Sequence, residues 1–298
     1  MPSDSCWVYD KRNEIGGNIM TYEEKLQQYK DWIFRRSAYQ MALAIIGIDK
    51  QTVAPSAGAA YRDERSAYLA GELFSIETDP EMVQLLKELK DDPKIDGDNK
   101  RAVELYYKQA MDTMCIPKEE FVAYQKLRDE SFDAWIQAKS QSDYSIFEPY
   151  LKKIIEVSKK MYRYRNSDKN LYDQMLDDYE PGMTQEKYDV FFAALKERLV
   201  PLIQKVTKAK QKNEEFLHQE FPIEDQKKFM TQLLEYLHFD SSWGYQNESE
   251  HPFTSWTCEN DCRTTTKYVK NDVVSAVLST VHEVGHAYYE HDVDPKYD

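Results

Sequence analysis

Apolar side chains recur along most of this chain at steps of three to five residues, the spacing of helices that each bury one stripe. Leu26, Tyr29, Ile33, Ala38, Met41 and Ile45 predict a first helix over 21–46, ended by Gly47-Ile48-Asp49. Residues 51–60 are small, with Pro55 and Gly58, and read as a loop. Further helices are expected at 61–75, 80–90 (Pro80 in its first turn), 100–114, 117–141 and 143–165. The last carries Phe147, Tyr150, Leu151, Ile154, Ile155 and Met161 on one stripe. A turn over 177–184 precedes a long helix over 183–212, kinked at Pro201, and another follows at 223–237. Tyr, Met and Trp on these stripes are read as core packing.

The period changes at His251. Trp256, Thr257, Thr264, Thr265, Thr266 and Tyr268 are strand formers, and Glu259-Asn260-Asp261 suits a turn, so 251–268 reads as a short hairpin. Asn271-Asp272 then offers an N-cap to a helix over 273–291. The fold class is mainly α: a long-helix bundle with a short β-hairpin beside the last helix. No linker divides the chain, so residues 20–298 are taken as one helical domain.

Composition narrows the function. With 39 basic and 53 acidic residues the net charge is −14, which argues against nucleic acid and against an anionic membrane surface as partners. No apolar run reaches the roughly 18 residues of a membrane span. Residues 1–19 lack a hydrophobic signal core and are expected to be a disordered extension ahead of Met20. Cys6, Cys115, Cys258 and Cys262 are few and scattered, as expected of reduced thiols in the cytoplasm. Asp177, Asp178 and Glu180 are read as a solvated loop rather than a cation site.

The candidate chemistry lies in His282-Glu283-Val284-Gly285-His286. On a helix, positions i and i+4 stack on one face, so both imidazoles can bind one tetrahedral zinc. Glu283 sits about 100° round the helix from His282, where a carboxylate can take a proton from water that the metal acidifies. Two solvated histidines on a surface turn are the plain alternative. Val273, Val274, Ala276, Val277, Val281 and Val284 make the flanks apolar and predict that the pair is buried. A catalytic zinc also needs a third protein ligand. Glu290 lies one turn on, about 40° off the His286 direction, and is a poor candidate. A structural site joining Cys258, Cys262, His282 and His286 is a further alternative, but its 19-residue gap is long for a finger and leaves Glu283 without a purpose.

Several ordered motifs resemble the carboxypeptidase Taq family of zinc metallocarboxypeptidases. They are His251-Pro252-Phe253-Thr254, Asp261-Cys262-Arg263-Thr264-Thr265 and the metal helix through Glu290, with Tyr172–Thr184 and Asp49–Ala60 upstream. The resemblance implies a nearly all-helical fold around a deep groove, a homodimer, and release of C-terminal amino acids from peptides with a free C-terminus. It makes His282 and His286 ligands of Zn2+ (with Co2+ as a substitute) and Glu283 the general base. The family's third ligand is a Glu in a later His-Glu-Ser-Gln motif, which this sequence does not contain. The chain therefore resembles the N-terminal three-fifths of a member, expected to be a C-terminally incomplete enzyme or an inactive or complementing half. Arg263, His251 and Asp261 are candidate substrate contacts. Arg263 suits a terminal carboxylate through its planar fork, and equally suits Asp261, two residues away on the same strand face.

Overall fold

The computed structural model describes residues 20–165, 167–217 and 219–297. The expected extension over 1–19 lies outside them. Contacts divide the chain into two compact units, Met1–Gln40 with Asp63–Val206, and Met41–Arg62 with Thr207–Asp298.

The first unit is helical. It takes α1 (Tyr22–Thr52) up to Gln40, most of α2 (Ala59–Glu77), then α3 (Pro80–Asp91), α4 (Gly97–Thr113), α5 (Lys118–Gln141), α6 (Glu148–Tyr164), α7 (Leu171–Tyr179) and α8 (Gln185–Lys208) to Val206. Asp79 caps α3 by accepting from the N–H of Glu81 at 2.9 Å, as Pro80 in the first turn suggested. The core gathers Tyr29 and Trp32 of α1, Ile76 of α2, Leu85, Leu86 and Leu89 of α3, and Val103 of α4. The indole N–H of Trp32 donates to the Ile76 carbonyl at 2.9 Å, so this buried ring leaves no orphan donor.

Several sequence expectations are corrected here. α1 does not end at Gly47 but runs to Thr52. One helical glycine costs only about 1 kcal/mol, and the Thr52 hydroxyl bonds the Ile48 carbonyl at 2.7 Å, holding the last turn. Tyr144–Ile146 form a 3-10 turn before α6 rather than its first turn, because Asp143 accepts from the N–H and hydroxyl of Ser145. α7 was not foreseen. Its N-cap Asn170 accepts from the Asp173 N–H at 2.9 Å, and it carries the acidic cluster. Asp178 there takes a bidentate fork from Arg165 at 2.7 and 2.8 Å, and Asp177 accepts from Lys169 and the Gly182 N–H. No residue of α8 is buried, so its apolar stripe is not core among the described residues.

The second unit holds α9 (Ile223–Tyr236), a three-stranded sheet and α10 (Val273–His291). The strands are β1 (Gly244–Glu248), β2 (Thr254–Cys258) and β3 (Asp261–Thr266), ordered β1-β3-β2. β2 and β3 form the expected antiparallel hairpin, and β1 adds a parallel strand that the sequence did not suggest. Gly244 opens β1 where Phe239 crosses, since a Cβ there would meet the ring at 2.5 Å. Gln226 of α9, almost fully buried, donates to the carbonyls of Phe221 and Val269, fixing the chain that leads into α10.

Candidate metal centre

α10 forms where the sequence placed it. Asp272 caps it by accepting from the Ser275 N–H at 3.0 Å. Its inner face, Ala276, Thr280, Glu283, Val284 and Ala287, is buried. Its C-terminal end is pinned by His291, which stacks on Trp243 at 3.9 Å and donates from Nδ1 to the Glu259 carbonyl at 2.7 Å. Tyr288 donates to the Leu237 carbonyl. The helix is thus held along its length against the sheet and the end of α9.

His282 and His286 stand one turn apart on α10, and their Nε2 atoms approach to 3.1 Å with the rings at 85°. Two nitrogens each about 2.0–2.1 Å from a tetrahedral zinc lie about 3.3 Å apart, so this separation fits two ligands of one cation to within a few tenths of an ångström. The pair is exposed, which corrects the expectation of burial. The apolar residues expected to bury it divide between two faces: Ala276 and Val284 point inward, while Val281 is exposed, as are Leu278 and Tyr289 on the histidine side. A Cβ at Gly285 would meet nothing within 4 Å, so the histidine face is open at that point.

Glu283 has the opposite environment. It is only 7% exposed, and its Oε2 accepts from the Thr254 hydroxyl at 2.7 Å. The same hydroxyl lies 2.9 Å from the Glu283 carbonyl. The carboxylate and the two convergent imidazoles thus share one helical turn, the imidazoles on its open side and the carboxylate turned inward and tethered to β2.

Among the described residues no third His, Cys, Asp or Glu joins the pair to form a cation-holding group. Glu290 is not drawn in. The Cys262 sulfur is fully buried and lies 4.0 and 3.9 Å from the carbonyls of Cys258 and Glu259, so the finger-like arrangement has no support in its packing. The residues present thus fit a divalent cation as a two-imidazole half-site.

Asp261 and Arg263 sit together on β3. Arg263 donates from Nε and Nη2 to the two carboxylate oxygens of Asp261 at 2.7 Å each, and Thr257 donates to Asp261 at 2.9 Å. The guanidinium beside Asp261 holds its carboxyl below the usual range, and the carboxylate raises Arg263. This is the structural partnership that the spacing allowed. His251 lies exposed in the bend before β2, its carbonyl accepting from Ser249 at 2.7 Å. Thr254 falls in the His251-Pro252-Phe253-Thr254 stretch, but its role is not legible from sequence. Its partner lies 29 residues on, and no local period links the two.

A family model described as "Carboxypeptidase Taq (M32) metallopeptidase" matches residues 28–298. "Carboxypeptidase 1" of Bacillus subtilis is 36% identical over 280 residues, covering 93% of this chain and 55% of that protein. "Thermostable carboxypeptidase 1" of Thermus thermophilus is 30% identical over 270 residues, covering 86% and 53%. The crystal structure of BsuCP superposes with a TM-score of 0.87 at 35% identity, covering 91% of this chain and 55% of that one. The chain spans about half the length of the curated relatives it matches.

Proposed function

Because the chain belongs to the carboxypeptidase Taq (M32) metallopeptidase family, we propose that it supplies two metal ligands and the general base of a zinc carboxypeptidase. That enzyme would release C-terminal amino acids from peptides. The observation that carries this reading is the 3.1 Å approach of the two Nε2 atoms, with a buried, tethered carboxylate on the residue that follows His282. The family implies a divalent metal. Zinc, with cobalt as a substitute, is the reading that two imidazoles favour.

A bound ion supplies a Lewis acid for the scissile carbonyl and acidifies water. His282 and His286 would hold it through Nε2. Glu283 accepts the water proton at its carboxylate and passes it to the departing amine, so its Oε2 tether to Thr254 sets where that proton is taken. Arg263 or His251 would hold the substrate carboxylate. For Arg263 that means partly leaving Asp261. A homodimer, peptide substrates and a cytoplasmic setting belong to the same proposal, and family membership is their support.

A second reading has its own observation. No third ligand stands beside the pair among the described residues, which favours an inactive or complementing half. Incubating the 298-residue chain with zinc and a peptide in free-acid and amidated forms separates the two. The enzyme reading expects release of the terminal amino acid from the free acid and little from the amide. No release from either form supports the half-module, and equal internal cleavage of both contradicts a carboxypeptidase.

A further inference from the structure

The face of the sheet beneath α10 is lined with polar side chains. Gln246 of β1, Thr264 of β3 and Thr254 of β2 are register partners across three strands. Partners in register project to the same side of a sheet. Two of them meet α10 directly. Gln246 donates to the Thr280 hydroxyl at 3.3 Å, and Thr254 donates to Glu283. One step on, Thr266 donates to the Ala276 carbonyl at 3.3 Å. The Thr264 hydroxyl, 1% exposed, has no hydrogen-bond partner. Strand propensity alone would place valine or isoleucine here as readily as threonine.

We infer that Thr254 is a positioning residue for Glu283: its hydroxyl holds Oε2 and so keeps one carboxylate rotamer on the helical turn that carries the histidine pair. This rests on the proposed role of Glu283 as general base. A glutamate has three rotatable bonds, and a buried one without a donor would lose its orientation or its charge. The Thr254 hydroxyl has one proton and two acceptors in reach, Oε2 and the Glu283 carbonyl. The charged acceptor makes the stronger bond. Thr254 is itself fixed by the β2–β3 pairing, so the tether belongs to the hairpin and not to a mobile loop.

The test compares wild type, Thr254→Val and Thr254→Ser in the zinc-loaded protein. Valine keeps the shape and removes the donor, and serine keeps the donor. The expected result is a kcat lower by about tenfold to a hundredfold in Thr254→Val, from a lost bond to a charged group. KM and zinc affinity should stay within about twofold, and Thr254→Ser should recover most of the rate. A parallel fall in zinc affinity, or a serine variant no better than valine, overturns the inference. A second arm needs no turnover. Thermal unfolding of the metal-free Thr254→Val, Glu283→Ala and doubly substituted chains should show non-additive shifts, since each single substitution removes the bond, and strict additivity overturns the inference as well. A wild type that hydrolyses nothing sinks the proposed enzyme function, and this second arm then decides the tether alone.

Discussion

His282 and Glu283 are neighbours in sequence and opposites in environment. The imidazole is exposed while the carboxylate is buried. A ligand must reach an ion that substrate can also reach, whereas a base works best with its orientation fixed. Glu283→Gln separates these roles. The amide keeps the shape and can still accept from Thr254 through its carbonyl oxygen, but it cannot take the proton. Zinc affinity should hold and kcat should fall by about 10²–10⁴, measured by metal titration and peptide release. Near-normal turnover would remove Glu283 from the mechanism. At this scale the ligands and base were legible, because i and i+4 spacing on a helix is local. The exposure of the pair was not, because an apolar flank does not say which face of the helix each valine occupies. Thr254 was invisible because its partner comes from a different element.

At the scale of elements, helices with strong stripes were legible, and the misses have local causes. Asn170 capping and the Asp178–Arg165 fork make α7 out of a stretch without a clear stripe, and carry it into the start of the expected turn. β1, Gly-Tyr-Gln-Asn-Glu, carries almost no strand propensity and exists because it pairs with β3. The hairpin has a pH signature. Asp261 has a lowered carboxyl pKa through its bond to Arg263, so its folded value lies below the unfolded one. The sign follows directly: its stabilisation is complete above the unfolded value of about 3.9 and is lost as pH falls through the lower folded value. Both side chains are about a third exposed, so solvent screening keeps the contribution to at most about 1 kcal/mol. Asp261→Asn should lower the melting temperature at pH 7 and leave it close to wild type near pH 2. An equal drop at both pH values would show that packing, not charge, holds the turn.

For the whole molecule, the two units differ in kind. The helical one packs an aromatic and leucine core, and the other sets one helix on a small sheet with polar residues between them. Net charge and helical class were legible from composition and period. The division into two units was not, because α1 and α2 each cross the boundary and no linker marks it. α8 shows the same limit, since a periodic stripe predicts a helix but not whether anything covers it. What the chain offers a cation is two imidazoles on the open face of α10. A two-ligand site should bind zinc weakly, in the micromolar range or above, compared with a three-ligand centre. Calorimetric titration of zinc into wild type, His282→Ala and His286→Ala chains tests this most directly. The account expects one equivalent per wild-type chain and loss of that binding in both variants. Stoichiometric binding unchanged by either substitution would contradict it and place the metal elsewhere.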